Sequence, residues 1–317
     1  MTVDRTSFSV TAVNDRPASK RPWTEHPRVL AVRHRSNAAD IGVQTLDGYG
    51  RHRSSQNAAL IAHFGFLSIF PLVLALTTIL GFVLEGRADL RADIIGSALA
   101  QVPIVGQTLE QNPAELNGSA LVLLFGLVAA LWSGLRAFLA IQIALDDVRE
   151  IPRDERSSFS AMRLRALLGV AVIGGAQIAT AAVTAIAGAG DFAFAGRVLL
   201  VLGALAINAA TLGLTFQRLT SVDVPWREVA PGALIGGVAF SIMQFLGTTV
   251  APQLIANASP VYGTFASVIA LFTWLGLHAM VALACAELNG VLVSRHDQSR
   301  DRSPAAGTTE PSVTAPA

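Results

Sequence analysis

From Val229 to Ala286 the chain carries no Asp, Glu, Lys or Arg. Soluble domains rarely sustain such a run, whereas a hydrocarbon surrounding demands it. Each uncompensated charge at a bilayer centre costs on the order of 2.5–3.5 kcal/mol on insertion scales. Overlapping the end of that run, Ser259 to Asn289 opens on a helix-breaking Ser259-Pro260, passes through Val, Ile, Leu, Phe and Ala, and closes on Glu287 and Asn289. That exceeds the roughly 20 residues a spanning helix needs and predicts a final transmembrane helix over 261–291. Composition agrees: 14% of the residues are charged and 52% hydrophobic, against about 25% charged in soluble domains. The fold class expected is all-α, a polytopic transmembrane helical bundle.

Five more apolar runs precede that helix, at 57–84, 119–145, 166–187, 194–216 and 229–249, so six spans are expected within a domain over 46–293. Pro71 lies near the middle of the first span and predicts a kink there. The connection 85–118 differs in kind, with five acidic residues and only Arg87 and Arg91 as basic ones. Its Leu90, Ile94, Ile95, Ala98, Leu99 and Val102 recur at helical spacing, which predicts an external amphipathic segment. Ile41 to Arg53 reads as a short interfacial helix with Tyr49, Arg51 and Arg53 at headgroup level. Residues 1–45 and 294–317 have too little apolar surface to offset ordering entropy and are expected to be disordered cytoplasmic tails. The first apolar run follows a long polar leader, so it is expected to stay as a span rather than be cleaved.

The arginines set the orientation. They crowd the N-terminal leader, the second connection (Arg149, Arg153, Arg156, Arg163, Arg165), the fourth (Arg218, Arg227) and the C-terminal flank. The other connections are acidic or neutral. Cytoplasmic loops carry the basic excess, so both termini are expected in the cytoplasm, in keeping with an even number of spans.

Enzymatic constellations are missing from the sequence. A net charge of +1 gives no field for nucleic acid, and Cys285, the single cysteine, excludes an intrachain disulfide or a thiolate cluster. There is no phosphate-cradling glycine loop and no nucleophile elbow. The six histidines are scattered, whereas a metal-dependent nuclease needs clustered His and Asp. Asp146-Asp147 reads as a solvated helix end. No catalytic, cofactor-binding or metal-binding residue is assigned.

Ionisable residues inside a membrane are functional candidates because they are expensive to bury. Arg136 lies about 25 Å along the second span at 1.5 Å per residue, inside the roughly 30 Å core but near its cytoplasmic side. It reads either as a side chain snorkelling to the inner headgroups or as the ion-pair partner of Glu287. Trp132, four residues earlier, is placed to pack against its stem or guanidinium. Glu287 and Asn289 read either as a polar helix terminus in water or as a functional pair that anchors the sixth span to the basic loops or lines a cytoplasmic mouth. His63 and His278 are lone histidines on apolar helices, for which interior hydrogen bonding outweighs metal ligation. Gln142, Gln177, Asn208 and Gln244 are expected to bond between helices, at about 0.6 kcal/mol each, and Gly232-x-x-x-Gly236 fits close helix packing.

Several segments resemble the YihY/virulence-factor BrkB family of bacterial inner-membrane proteins. Asn57-Ala58-Ala59-Leu60 through Ser68-Ile69-Phe70-Pro71 resembles its first span, and Leu131-Trp132-Ser133-Gly134 to Asp147 its second. Val224-Pro225-Trp226-Arg227 with Pro231-Gly232-Ala233 resembles the start of its fifth. Val261-Tyr262-Gly263-Thr264-Phe265, Trp274 and Ala286-Glu287-Leu288-Asn289 resemble its sixth, which makes Tyr262 a further structural candidate. His63-Phe64 departs from the paired aromatics usual there. The resemblance implies a multi-pass protein of the bacterial inner membrane. Its partners would be the bilayer and a lipid or envelope-component substrate, with no nucleic acid and no cofactor. The resemblance implies a transporter-like protein, with a structural or interaction protein of the envelope as the alternative; the older family label, ribonuclease BN, is generally regarded as a misassignment and gives the second alternative.

Overall fold

The computed structural model describes residues 23–83, 120–189, 194–249 and 265–301, with the single positions 253 and 257. Among them every regular element is helical. We number the α-helices α1 Pro27–Arg35, α2 Asn37–Arg51, α3 Ser54–Val83, α4 Ala120–Val148, α5 Phe159–Ala189, α6 Phe194–Leu219, α7 Trp226–Thr249 and α8 Phe265–Asp301. An apolar surrounding forces this outcome, since each backbone N–H and C=O must be satisfied within its own segment. Among the described residues five helices are long and apolar enough to cross a membrane: Leu124–Val148, Phe159–Ala176, Val198–Leu219, Trp226–Gly247 and Phe265–Ser299. The 30-residue α3 contains no Asp, Glu, Lys or Arg.

Each long helix packs on its neighbours in sequence, and α8 returns to α3, so the six close into a ring. In addition α4 reaches across to α8 and α6. The ring has one arginine-rich end, where α2 meets α3, α4 meets α5 and α6 meets α7. Both buried clusters sit toward it. Leu145, Val148, Leu212, Phe216, Leu219, Val229 and Cys285 belong to the larger cluster, and Ala58, Ala144, Ala279 and Leu283 form the smaller. Glycines allow the closest approaches. A Cβ on Gly232 would clash with the Cys285 carbonyl oxygen, and one on Gly236 would lie 2.6 Å from Leu212 Cδ1. The Gly232-x-x-x-Gly236 pair therefore does let α7 approach α8 and α6, as small residues do where no hydrophobic force drives association.

The structure corrects several boundaries. The first tail is not wholly disordered: α1 and α2 occupy 27–51. Pro27 begins α1, with His26 as N-cap, and the Ser36 hydroxyl caps α2 by accepting from the Ala39 N–H at 3.1 Å. Polar side chains then hold α2 to the far end of α8. Asp40 accepts from Arg33 Nε at 2.6 Å, from Gln44 and from Arg295. Accordingly α8 does not end at 291 but runs to Asp301. Helix α5 begins at Phe159 rather than 166. There Arg163 lies over the Phe159 ring and Arg165 bonds Ser157 and the Thr220 carbonyl, so a helical turn tolerates residues that read as loop. Helix α3 continues through Pro71 as one element. The external segment 85–118, the far tail beyond 301 and Tyr262 lie outside the described residues.

Candidate functional site

The α2–α3 corner closes over a buried carboxylate. Glu287 projects from α8 with only 3% of its side chain exposed. Ser54 Oγ, at the first residue of α3, donates to Glu287 Oε1 at 2.8 Å. His52, between α2 and α3, places Nδ1 3.0 Å from both oxygens of the same carboxylate. The other ring nitrogen, Nε2, lies 3.2 Å from Glu150 Oε1. That oxygen also accepts from Arg51 Nη1 at 2.9 Å. One imidazole thus bridges an exposed carboxylate and a buried one.

The backbone is bent to make this junction. Among the described residues the non-glycine positions with positive φ are Arg53 (55°) and Glu150 (52°), one on each side of His52. A left-handed conformation costs a side-chain-bearing residue about 1–2 kcal/mol. At Glu150 it belongs to the helix stop. The Ile151 N–H bonds the Asp146 carbonyl and the Glu150 N–H bonds the Asp147 carbonyl, each at 3.0 Å, which is a Schellman motif with Pro152 following. Gly48 is needed because a Cβ there would lie 2.7 Å from Glu287 Oε2. Beside it, the Tyr49 hydroxyl is buried with no hydrogen-bond partner among the described residues. Burial, and then the nearby Glu287 charge, push the Tyr49 phenol above its ordinary value.

Two more buried polar groups lock the same end. Asp146 is wholly buried and accepts from the Ser221 N–H at 2.8 Å and the Ser221 hydroxyl at 2.6 Å. It is therefore not the solvated helix end its sequence suggests; the adjacent Asp147 is half-exposed and pairs with Arg156 at 2.7 Å. Asn289, also buried, grips the first turns of α7. Its Oδ1 accepts from the Gly232 N–H at 2.7 Å and its Nδ2 donates to the Val229 carbonyl at 3.2 Å. These flank Pro231, which interrupts the α7 hydrogen-bond ladder. Glu287 and Asn289 are thus not a helix terminus in water. Nearby, α4, α6, α7 and α8 line a cavity of about 10 Å³ that includes Leu145, Arg149, Thr220 and Asn289, room for roughly one water.

The profile of the Virulence factor BrkB family matches residues 45–309. The chain belongs to that family. It is 26% identical over 262 residues to the putative ribonuclease-like protein YfkH of Bacillus subtilis (strain 168), covering 78% of this chain and 93% of that one. It is 24% identical over 272 residues to the inner membrane protein YhjD of Escherichia coli (strain K12), covering 77% and 78%. No solved structure matches the chain. The helices and these relatives together describe a membrane protein.

The remaining candidates of this BrkB-family protein lie elsewhere. Arg136 and Glu287 are not brought together. The cavity places Leu145 level with Ala286, and Arg136 is nine residues earlier on α4, about 14 Å away along the axis. Its guanidinium lies instead 5.1 Å from the Trp132 ring and 5.8 Å from the Phe64 ring. Sequence position near a boundary did not resolve that axial difference. His63 is exposed, edge-on to Phe64 at 5.4 Å. His278 Nδ1 lies 2.9 Å from the Trp274 carbonyl, with its ring against Phe240 and Trp274. Gln142 donates to the Met162 carbonyl on α5, and Asn208 donates to Ser241 and Gln244 on α7; the side chain of Gln177 is outside the described residues. Among the described residues no three His, Cys, Asp or Glu side chains converge on a point that could hold a metal ion. Sequence reasoning passed over His52, Ser54 and Glu150. A faint signal existed for His52, a titratable residue in the corner between an interfacial helix and the first span.

Proposed function

We propose that this protein is a six-span, transporter-like protein of the bacterial inner membrane, with both termini cytoplasmic, acting on an anionic lipid or lipid-like envelope component. The span added to the five candidates is α3, the first in chain order, and the arginine-rich end is the cytoplasmic one by the positive-inside rule. The observation that carries the substrate class is Arg136. Among the described residues it makes no ion pair and is exposed on the outside of the apolar α4. Two aromatic faces steady it. A cation held there without a carboxylate is matched by the phosphate of an amphiphile whose tails lie along α4. The reading assigns no catalytic chemistry to the chain.

The test is lipid profiling of a deletion strain complemented with the intact gene, R136K or R136Q. Restoration by the intact gene, partial restoration by R136K and none by R136Q at equal membrane abundance is the expected result. Full restoration by R136Q removes Arg136 from the function. A second reading, a structural or docking protein of the envelope, is favoured by the tight arginine-rich end, where the cavity between α4, α6, α7 and α8 has room for about one water.

A further inference from the structure

A neutral imidazole has one N–H donor and one lone pair. His52 faces carboxylate oxygens from both nitrogens, at 3.0 Å on the Nδ1 side and 3.2 Å on the Nε2 side. With both carboxylates ionised and the ring neutral, a lone pair would point at an anion. Both contacts become hydrogen bonds only when the three groups share one more proton, either on the ring or on a carboxyl oxygen. The charged and titratable neighbours do not remove that requirement. From α2, Arg51 faces Glu150 and Tyr49 brings a neutral phenol toward Glu287. From α3, Ser54 donates to Glu287. From the α4 stop comes Glu150 itself, and α8 contributes the buried Glu287.

We propose that Glu150, His52 and Glu287 form a proton-binding site, filled from the aqueous phase at the arginine-rich end through exposed Glu150, whose bound proton latches the α2–α3 corner and the α4 stop onto α8. In filling, a proton from water reaches the ring at Nε2 by way of the Glu150 carboxylate, and the Nδ1–H donates to Glu287. An O–H bond of hydronium breaks and the Nε2–H bond forms; no bond between heavy atoms changes, and no other reactant is needed. This inference is independent of the transport reading and stands on the junction geometry alone.

The folded chain therefore binds a proton that the unfolded chain releases, so stability falls as pH rises. The experiment follows thermal unfolding of the full chain in lipid nanodiscs from about pH 6 to about pH 8.5. The intact protein is expected to lose Tm steadily across that range. In E150Q the amide N–H donates to Nε2 while Nδ1–H still donates to Glu287, so both contacts are made without the added proton. The loss of Tm should then shrink by roughly half or more. E155Q, an exposed acid in the same loop, should keep the full slope. Direct titration of the same samples should show about one proton fewer released by E150Q than by the intact protein. Unchanged slope and unchanged proton count in folded E150Q would overturn the site. Because Glu150 is exposed, that variant retains the buried core; E287Q supplies an independent second arm with the same expected flattening.

Discussion

The two ends of the helix ring hold together by different means. At the arginine-rich end, side chains bond across helices and backbones nearly touch. The buried polar residues Ser54, Gln142, Asp146, Thr215, Thr220, Glu287 and Asn289 lie in that half, with Asn208 near the middle of α6. Toward the opposite end, past the Asn208 bonds to Ser241 and Gln244, the described contacts between helices are rings and aliphatic groups. Trp274 covers Gly247, and Phe66 meets Phe272 edge-on at 5.9 Å. Leu121, Phe125, Leu199 and Phe245 are all more than 60% exposed there. Lipid tails are as apolar as leucine, so apolar contacts alone choose weakly between helix arrangements. Polar bonds and glycine approaches choose strongly, and this chain places most of them at one end.

The sharpest way to break that contrast is steric. Gly232→Ala places a Cβ against the Cys285 carbonyl and both polar atoms of Asn289, so α7 and α8 must part. A loss of about 1–3 kcal/mol is expected, read as a lower Tm in detergent. Gly203→Ala, which meets nothing within 4 Å on α6, should be neutral or stabilise by up to about 1 kcal/mol. Equal losses at the two sites would mean the ends are packed alike.

Removing a buried acceptor comes next. Asp146→Ala leaves both the N–H and the hydroxyl of Ser221 unpaired, at about 1–3 kcal/mol for a buried group left without its partner. Asp147→Ala, on a half-exposed ion pair, should cost less than about 1 kcal/mol. Unfolding midpoints of the two variants give the comparison directly, and near-equal losses would restore the reading of a solvated helix end.

A smaller effect is spectroscopic. The chain has two tyrosines, so in a Tyr262→Phe background tyrosinate absorbance reports Tyr49 alone. Burial and the Glu287 charge raise its ionisation, so the folded state keeps the phenol neutral at pH values where the unfolded chain has ionised it. Its contribution to stability is intact below about pH 10 and fades as pH rises through the higher folded value. Glu287→Gln should move the Tyr49 transition down toward the ordinary phenol value. A transition that does not move would place the carboxylate away from α2. The smallest change expected is at His63, exposed beside Phe64, where His63→Ala should stay within about 0.5 kcal/mol.

Much of this architecture was legible in the sequence, because an apolar run long enough to span announces itself without knowledge of its neighbours. The runs at 194–216 and 229–249 match α6 and α7 to within three residues at either end. What the sequence hid was pairing between distant elements. Asp40 reads as a tail residue until Arg295 is known to lie beside it. Asp146-Asp147 reads as one solvated unit, although successive helical residues face about 100° apart and only the second reaches water. Arg136 and Glu287 both read as near one boundary, and nothing local encodes the nine residues separating Arg136 from Leu145, the position on α4 level with Ala286.

That error also supplies the most direct test of the central claim, that Glu287 belongs to the α2–α3 corner. Two double-mutant cycles on Tm in nanodiscs share the variant Glu287→Gln, one with His52→Ala and one with Arg136→Gln. The first pair is in contact, so a coupling of roughly 0.5–3 kcal/mol is expected; the second is distant, and its losses should add within about 0.5 kcal/mol. Additive losses for His52 with coupled losses for Arg136 would contradict the account and return Glu287 to the middle of α4.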